Sequence, residues 1–243
     1  ANPAGTAGLT NRFWGARSIV GVAGGFGEVT LGREYTTAFL QSQLQADPWG
    51  WDTIAAQNTI TGGAIAAVRN DSAITYKSPS FGGFGFQLQT AEQTDTFVNR
   101  AKRPVNLALT YGGGPVFVGF GHEIVGNNAK WTSLIATVKF GAFKPGVFFG
   151  TGNAANNNKH RAIALTGVAS LGAGELRLFA GKLDQKAAVT GVKTGVASNL
   201  AVGYHHSLSK RTIVYTDVAK QSGDGFSTLA KKAQFDVGIW HKF

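Results

Sequence analysis

The chain has 243 residues, with 34 Gly, 17 Phe, 5 Trp, 5 Tyr and neither Cys nor Met, and its 23 Lys and Arg against 13 acids give a formal charge of +10. The lack of Cys excludes disulfide scaffolds, thiolate metal sites and a Cys nucleophile. Glycine at about twice its usual share, with only 6 Pro and no three-residue period, excludes collagen and Pro-rich disorder. Charged residues at 15% and apolar ones at 43% leave a surface underpolar for a soluble domain over an interior that is not unusually apolar. No run approaches the ~20 apolar residues of a membrane helix. The basic charge is scattered rather than gathered into a tail, and no nucleic-acid partner is expected.

Taken in chain order, apolar residues recur at period two almost everywhere, the pattern of strands with two unlike faces. Strands are expected over 12–23 and 28–34, followed by about 35 residues from Tyr35 to Arg69 with no convincing strand, holding Pro48, Trp49 and Trp51. Irregular connections longer than ~15 residues are usually functional. Strands resume over 72–78, 84–92, 104–111, 115–124, 130–140, 146–151, 161–170, 175–184, 199–206, 211–219 and 233–243. Short turns rich in Gly, Pro and Ser, such as Gly112 to Pro115, Ala142 to Gly146, Gly172 to Gly174 and Ser207 to Arg211, alternate with longer polar loops at Thr94 to Arg103, Gly152 to Lys159, Gln185 to Ser198 and Gln221 to Lys231. All short turns then fall on one side of an up-and-down meander. The expected fold is all-β, a transmembrane antiparallel up-and-down β-barrel with a polar inner face and aromatic girdles from Tyr76, Tyr111, Tyr204, Tyr215, Phe235 and Phe243.

The segments Gly24-Gly25-Phe26-Gly27-Glu28-Val29-Thr30-Leu31-Gly32-Arg33, Ser72 to Phe84, Tyr204 to Thr212 and Val237-Gly238-Ile239-Trp240-His241-Lys242-Phe243 together resemble a Gram-negative general diffusion porin of the Neisseria, Burkholderia and Comamonas type. The resemblance implies a sixteen-stranded barrel in the outer membrane, wide enough for an aqueous channel, with a loop after the fifth strand folded into the pore. Aligned on Tyr35 to Arg69 as that loop, residues 1–243 read as one barrel domain of about thirteen strands that lacks the first three. The resemblance further implies a homotrimer, contacts with membrane lipid and lipopolysaccharide, and recognition of the terminal Phe243 by the outer-membrane assembly machinery.

The same resemblance implies passive diffusion of small hydrophilic solutes, set by charges at the narrowest point. Arg17, Arg33 and Lys77 are the candidate basic strip on the wall, with Glu34, Asp47 and Asp52 facing it; turn capping is an equally good use of Asp47 and Asp52, and a solvated or headgroup-level position of Arg17. Lys139 and Arg177 are further lumen-facing charges by alternation. Inward bases are expected to outnumber inward acids, giving a preference for anions. A substrate-specific facilitator using Phe39, Leu40, Trp49 and Trp51 is the alternative, and a soluble all-β binding protein a more distant one. His205 and His206 are adjacent on a strand, point to opposite faces and so do not share an ion. No catalytic, metal or cofactor motif is found, so an enzyme is not expected.

Overall fold

A computed structural model describes residues 14–63, 65–92, 103–125, 129–224 and 232–242. Its strands are β1 (Ser18–Gly24), β2 (Gly27–Tyr35), β3 (Arg69–Lys77), β4 (Phe84–Ala91), β5 (Val105–Gly113), β6 (Val116–Ile124), β7 (Lys130–Val138), β8 (Phe143–Asn153), β9 (Lys159–Leu171), β10 (Gly174–Lys186), β11 (Lys193–Ser207), β12 (Thr212–Asp224) and β13 (Lys232–His241). All thirteen join one sheet in sequence order, each antiparallel to the next. Among the described residues no helix is long and apolar enough to cross a membrane.

Alternation decides which face meets what. On β3, Ile74 is 53% exposed while its neighbours Ala73 and Thr75 are 2% and 7% exposed. The same inversion recurs across the sheet, with Val20, Leu31, Leu88, Leu109, Leu134, Ile163, Leu200, Val218 and Val237 exposed on one face. Water does not tolerate an apolar face of that extent, whereas the hydrocarbon of a bilayer does. Tyr111 and Tyr204 lie on this outer face; Tyr215, expected beside them, faces inward and stacks on His205 with ring centroids 5.2 Å apart. Phe243 lies outside the described residues, as does most of the expected loop Thr94 to Arg103.

The turns at one end are short, and Gly141 and Gly172 take φ of +54° and +62°, values that glycine adopts without a Cβ penalty. Strands run further than expected at the other end. Gln185 to Ser198 is not a loop: β10 continues to Lys186 and β11 begins at Lys193, leaving 187–192 as the connection. There the outer face is also polar, at Lys182, Asp184 and Lys193, so the contrast between faces fades while the backbone ladder persists.

Between β2 and β3 the register shifts at Gly32 and Glu34, with Ser72 held at φ 46° on the longer side. The main apolar cluster sits inside the sheet, under the segment between β2 and β3. Trp131, Ile135, Phe148, Phe179 and Leu183 from the wall pack with Trp49, Ile60 and Ile65 from that segment. Burial of each large side chain contributes about 1.5–3 kcal/mol.

Candidate functional site

The segment 36–68 leaves β2 and returns to β3 through a closed root: the Thr36 N–H donates to the Val68 carbonyl at 3.0 Å and its hydroxyl to the Ala67 carbonyl at 2.9 Å. A π-helical turn over Phe39–Gln43, a 3-10 turn over Leu44–Ala46 and an α-helical turn over Asn58–Thr61 satisfy much of its backbone. Such short turns are not stable alone, so tertiary contacts must hold them.

Four polar contacts fasten the loop to inward-facing wall residues. Ser42 and Ser133 hydroxyls lie 2.5 Å apart, the Gln43 amide donates to Glu123 Oε1 at 2.9 Å, the Trp131 indole donates to the Thr61 carbonyl at 3.1 Å, and the Trp49 indole donates to Asp217 Oδ1 at 2.7 Å. Glycines on the inner wall make room for them. A Cβ on Gly121 would stand 2.8 Å from Ala38 Cα, one on Gly119 would strike the Gln41 carbonyl, and one on Gly203 would meet the Trp49–Asp217 pair. The glycine excess of the sequence is thus partly a groove for the loop backbone.

Asp47 organises the loop from within. Its Oδ1 accepts the Trp49 N–H at 2.8 Å, and its Oδ2 accepts those of Trp51 at 3.2 Å and Gln57 at 2.7 Å. Trp51 and Thr53 sit at φ 65° and 63°, a left-handed backbone that costs non-glycine residues about 1–3 kcal/mol each. Burial pushes the Asp47 carboxyl up to about 7, against the pull of its three backbone donors and of Arg177. Phe39 and Trp49 are buried as packing, with Phe39 stacked on Tyr35 at 5.5 Å and edge-on to Trp51 at 4.6 Å.

The residues expected at the constriction separate into distinct places. Arg17 grips Glu34 through both carboxylate oxygens, at 2.7 and 3.0 Å from Nε and 2.7 Å from a terminal nitrogen, so Glu34 belongs to the same wall rather than facing it. Arg33 pairs with Asp71 in the bulge and donates to the Gly15 carbonyl at 3.0 Å, which makes it a cross-strand brace. Asp47 is a buried turn cap, while Asp52 stays exposed with only the Thr53 N–H on its Oδ1. Lys77 and Lys139 stand beside the short turns; Lys77 is eight residues from Arg69, roughly 27 Å along the strand. Arg177 faces inward beneath the loop, 3.1 Å from Glu175.

Sequence reasoning passed over Arg69, whose guanidinium lies 4.2 Å from the Tyr35 ring centre and donates to its hydroxyl at 2.6 Å. It also passed over Asp217, which accepts from Trp49 and lies 3.0 Å from His205 Nε2. An acid and a histidine at inward positions, each opposite a glycine or aromatic, carry no signal until the pairing is known. The expectation that inward bases outnumber inward acids is not met by alternation, even with Arg17 and Lys139, which continue the inward face just beyond β1 and β7. Alternation turns Glu28, Glu34, Glu123, Glu175, Asp217 and Asp236 inward against Lys77, Lys144 and Arg177. Among the described residues no cluster of three or more metal-ligating side chains occurs.

An unbroken antiparallel meander, apolar outside and fastened on its inner face to a long loop, defines the wall of a transmembrane β-barrel. The chain belongs to the Gram-negative porin family, whose model matches residues 2–225, and its sheet is accordingly an outer-membrane sheet. Outer membrane porin protein 32 of Delftia acidovorans is 30% identical, over 90% of this chain and 66% of its own; the chain spans just under two thirds of that relative's length. The anion-selective porin from Comamonas acidovorans superposes with a TM-score of 0.76 at 25% identity, covering 93% of this chain and 77% of that one. The trimer form of OmpT from Vibrio cholerae shares the fold at a TM-score of 0.69 and 17% identity, over 91% and 78% of the two chains.

Proposed function

We propose that this chain forms the wall and constriction loop of a water-filled outer-membrane channel through which small hydrophilic solutes diffuse passively, anions preferentially. The observation that carries the channel reading is the loop itself: it is fastened to the inner face by four contacts on β6, β7 and β12 while the outer face is apolar. A loop held this way narrows the lumen at a fixed height.

The anion preference rests on how the charges at loop level are compensated. Glu34 is held by Arg17, Glu175 by Arg177 and Asp217 by His205 and Trp49, while Glu123 is held by the neutral Gln43 amide and Arg69 bonds the neutral Tyr35 hydroxyl. Arg69, at the loop root, is then a cation that bonds no acid among the described contacts. Likeness to a porin named as anion-selective supports the same reading.

A homotrimer fits the outer face of β3 to β6, where alternation places Ile74, Leu88, Leu109 and Phe120. Conductance of the full-length protein across a planar bilayer under a salt gradient tests the proposal. An anion-favouring reversal potential is expected; a cation-favouring one overturns the selectivity, and a silent bilayer overturns the channel.

A further inference from the structure

Asn199 on β11 and Gln221 on β12 are register partners, and alternation turns both inward, next to the exposed pair Leu200 and Lys220 of the outer face. Leu183, Ala197, Ala201 and Ala219 flank them on the inner wall, so this part of it carries no charge. Against the pair lies the loop's helical turn at Asn58–Thr61, with Gln57 just before it. Between turn and wall is a cavity of ≈ 10 Å³, to which Ala56, Gln57, Thr59, Ile60, Asn199 and Gln221 contribute. That is room for about one water molecule or one hydroxyl group.

Two oxygens in this seam are buried without a partner. Gln57 is 1% exposed and Asn199 7%, and neither Gln57 Oε1 nor Asn199 Oδ1 has a hydrogen-bond partner among the described residues. Buried carbonyl oxygens of native proteins are nearly always satisfied, by the protein itself or by a molecule it holds. The Gln57 amide cannot turn end for end, because its Nε2 donates to the Ala55 carbonyl and its backbone N–H is held by Asp47 at 2.7 Å. Gln57 Oε1 is therefore a fixed acceptor. No contact among the described residues fixes the Asn199 amide, which offers an acceptor in one orientation and a donor in the other. Thr59 and Gln221, both half-buried, bring groups of the same double character to the rim, where the cavity meets the lumen.

We infer that this seam is a subsite for a neutral, hydroxyl-bearing solute of the sugar and polyol class, one of whose hydroxyls enters the cavity while the rest stays in the lumen. A hydroxyl is the matching group because it donates one hydrogen bond, to Gln57 Oε1, and accepts another, from the Asn199 or Gln221 amide. An ammonium group only donates and a carboxylate only accepts, and this part of the wall holds no opposite charge to compensate the burial of either. Ala56 and Ile60 give the C–H groups of such a solute an apolar contact. The inference deepens the channel reading and rests on it, since the lumen is the route by which the solute arrives.

The test uses the full-length protein folded in a detergent free of sugar groups. Ligand-observed NMR follows its titration with glucose and with triethylene glycol dimethyl ether, a molecule of similar size that accepts hydrogen bonds but donates none. Glucose is expected to bind saturably and at least about fivefold more tightly than the ether, the difference that one neutral hydrogen bond makes. Asn199→Leu, similar in size but without the amide, is expected to weaken glucose binding at least about fivefold. Lys144→Gln, elsewhere on the inner face, is expected to leave it unaltered. Equal binding of the two probes, absence of saturation by glucose, or parent-like affinity in Asn199→Leu each overturns the subsite. The two probes on the unaltered protein decide the matter should the leucine variant not fold. Planar-bilayer conductance is read separately: a silent bilayer overturns the channel, whereas a conducting protein that does not bind glucose overturns the subsite alone.

Discussion

The indole N–H of Trp49 donates to Asp217, 168 residues away in sequence, at 2.7 Å, and His205 approaches the same oxygen from its own strand at 3.0 Å. One carboxylate thus holds the far side of the loop against β12. Asp217→Asn weakens both contacts and is expected to destabilise loop docking by about 1.5–3 kcal/mol, the range for buried hydrogen bonds to a charged group. The measurement is single-channel recording, in which the variant shows more frequent conductance substates; a trace as quiet as that of the parent protein contradicts the latch.

Gly121→Ala probes the groove. The added Cβ would lie 2.7 Å from Ser42 Oγ and 2.8 Å from Ala38 Cα, both fixed by the loop's first turn. The loop has to shift, at about 1–3 kcal/mol. Gly112→Ala, where nothing lies within 4 Å of the new atom, is the control and is expected to be neutral. Thermal unfolding of the two variants in one detergent separates them.

The Asp47 carboxyl stands at about 7 in the folded loop against 3.8 when free, so folding takes up a proton between those values. The stabilisation is complete below about pH 4, declines as pH rises toward 7 and is constant above, by up to about 4 kcal/mol in all. Loop docking is therefore firmer at pH 5 than at pH 8. Asp47→Asn removes this part of the dependence, which the difference between the thermal stability profiles of variant and parent reads directly. Parallel profiles count against it.

Arg69→Gln removes the cation paired with a phenol rather than an acid. The anion-to-cation permeability ratio is expected to fall by a factor of about two to five, the effect of a single charge on an ion passing within a few ångströms in water. Lys77→Gln, near the short-turn mouth, changes it less. Reversal potentials under a salt gradient compare the pair.

The wall was legible because period two is a strong signal wherever its faces differ, as at Ala73, Ile74 and Thr75. It weakened where they did not, which is why β11 begins six residues before its expected start at 199. The loop was legible as a gap in the pattern, from Tyr35 to Arg69, and the structure leaves 36–68 between strands. The charges were not. Counting Arg33, Glu34 and Lys77 by alternation from one strand ignores the bulge at Ser72 and the depth of each residue, and both depend on the neighbouring strand's register. Asp47 illustrates a further limit. A carboxylate that caps three N–H groups looks the same in sequence as one that faces a solute, and the two differ only in where the loop folds.

The loop's attachments also bear on the order in which the molecule is built. Its root is complete as soon as β2 and β3 pair, but Ser133, Trp131 and Asp217 belong to strands made much later in the chain. Contacts across such separations carry a large closure entropy and form late. The wall must therefore curl with its interior still open, and the loop settles into the groove only afterwards. Narrowing of the passage therefore requires β6, β7 and β12 to be in place, because each supplies an anchor of the seated loop.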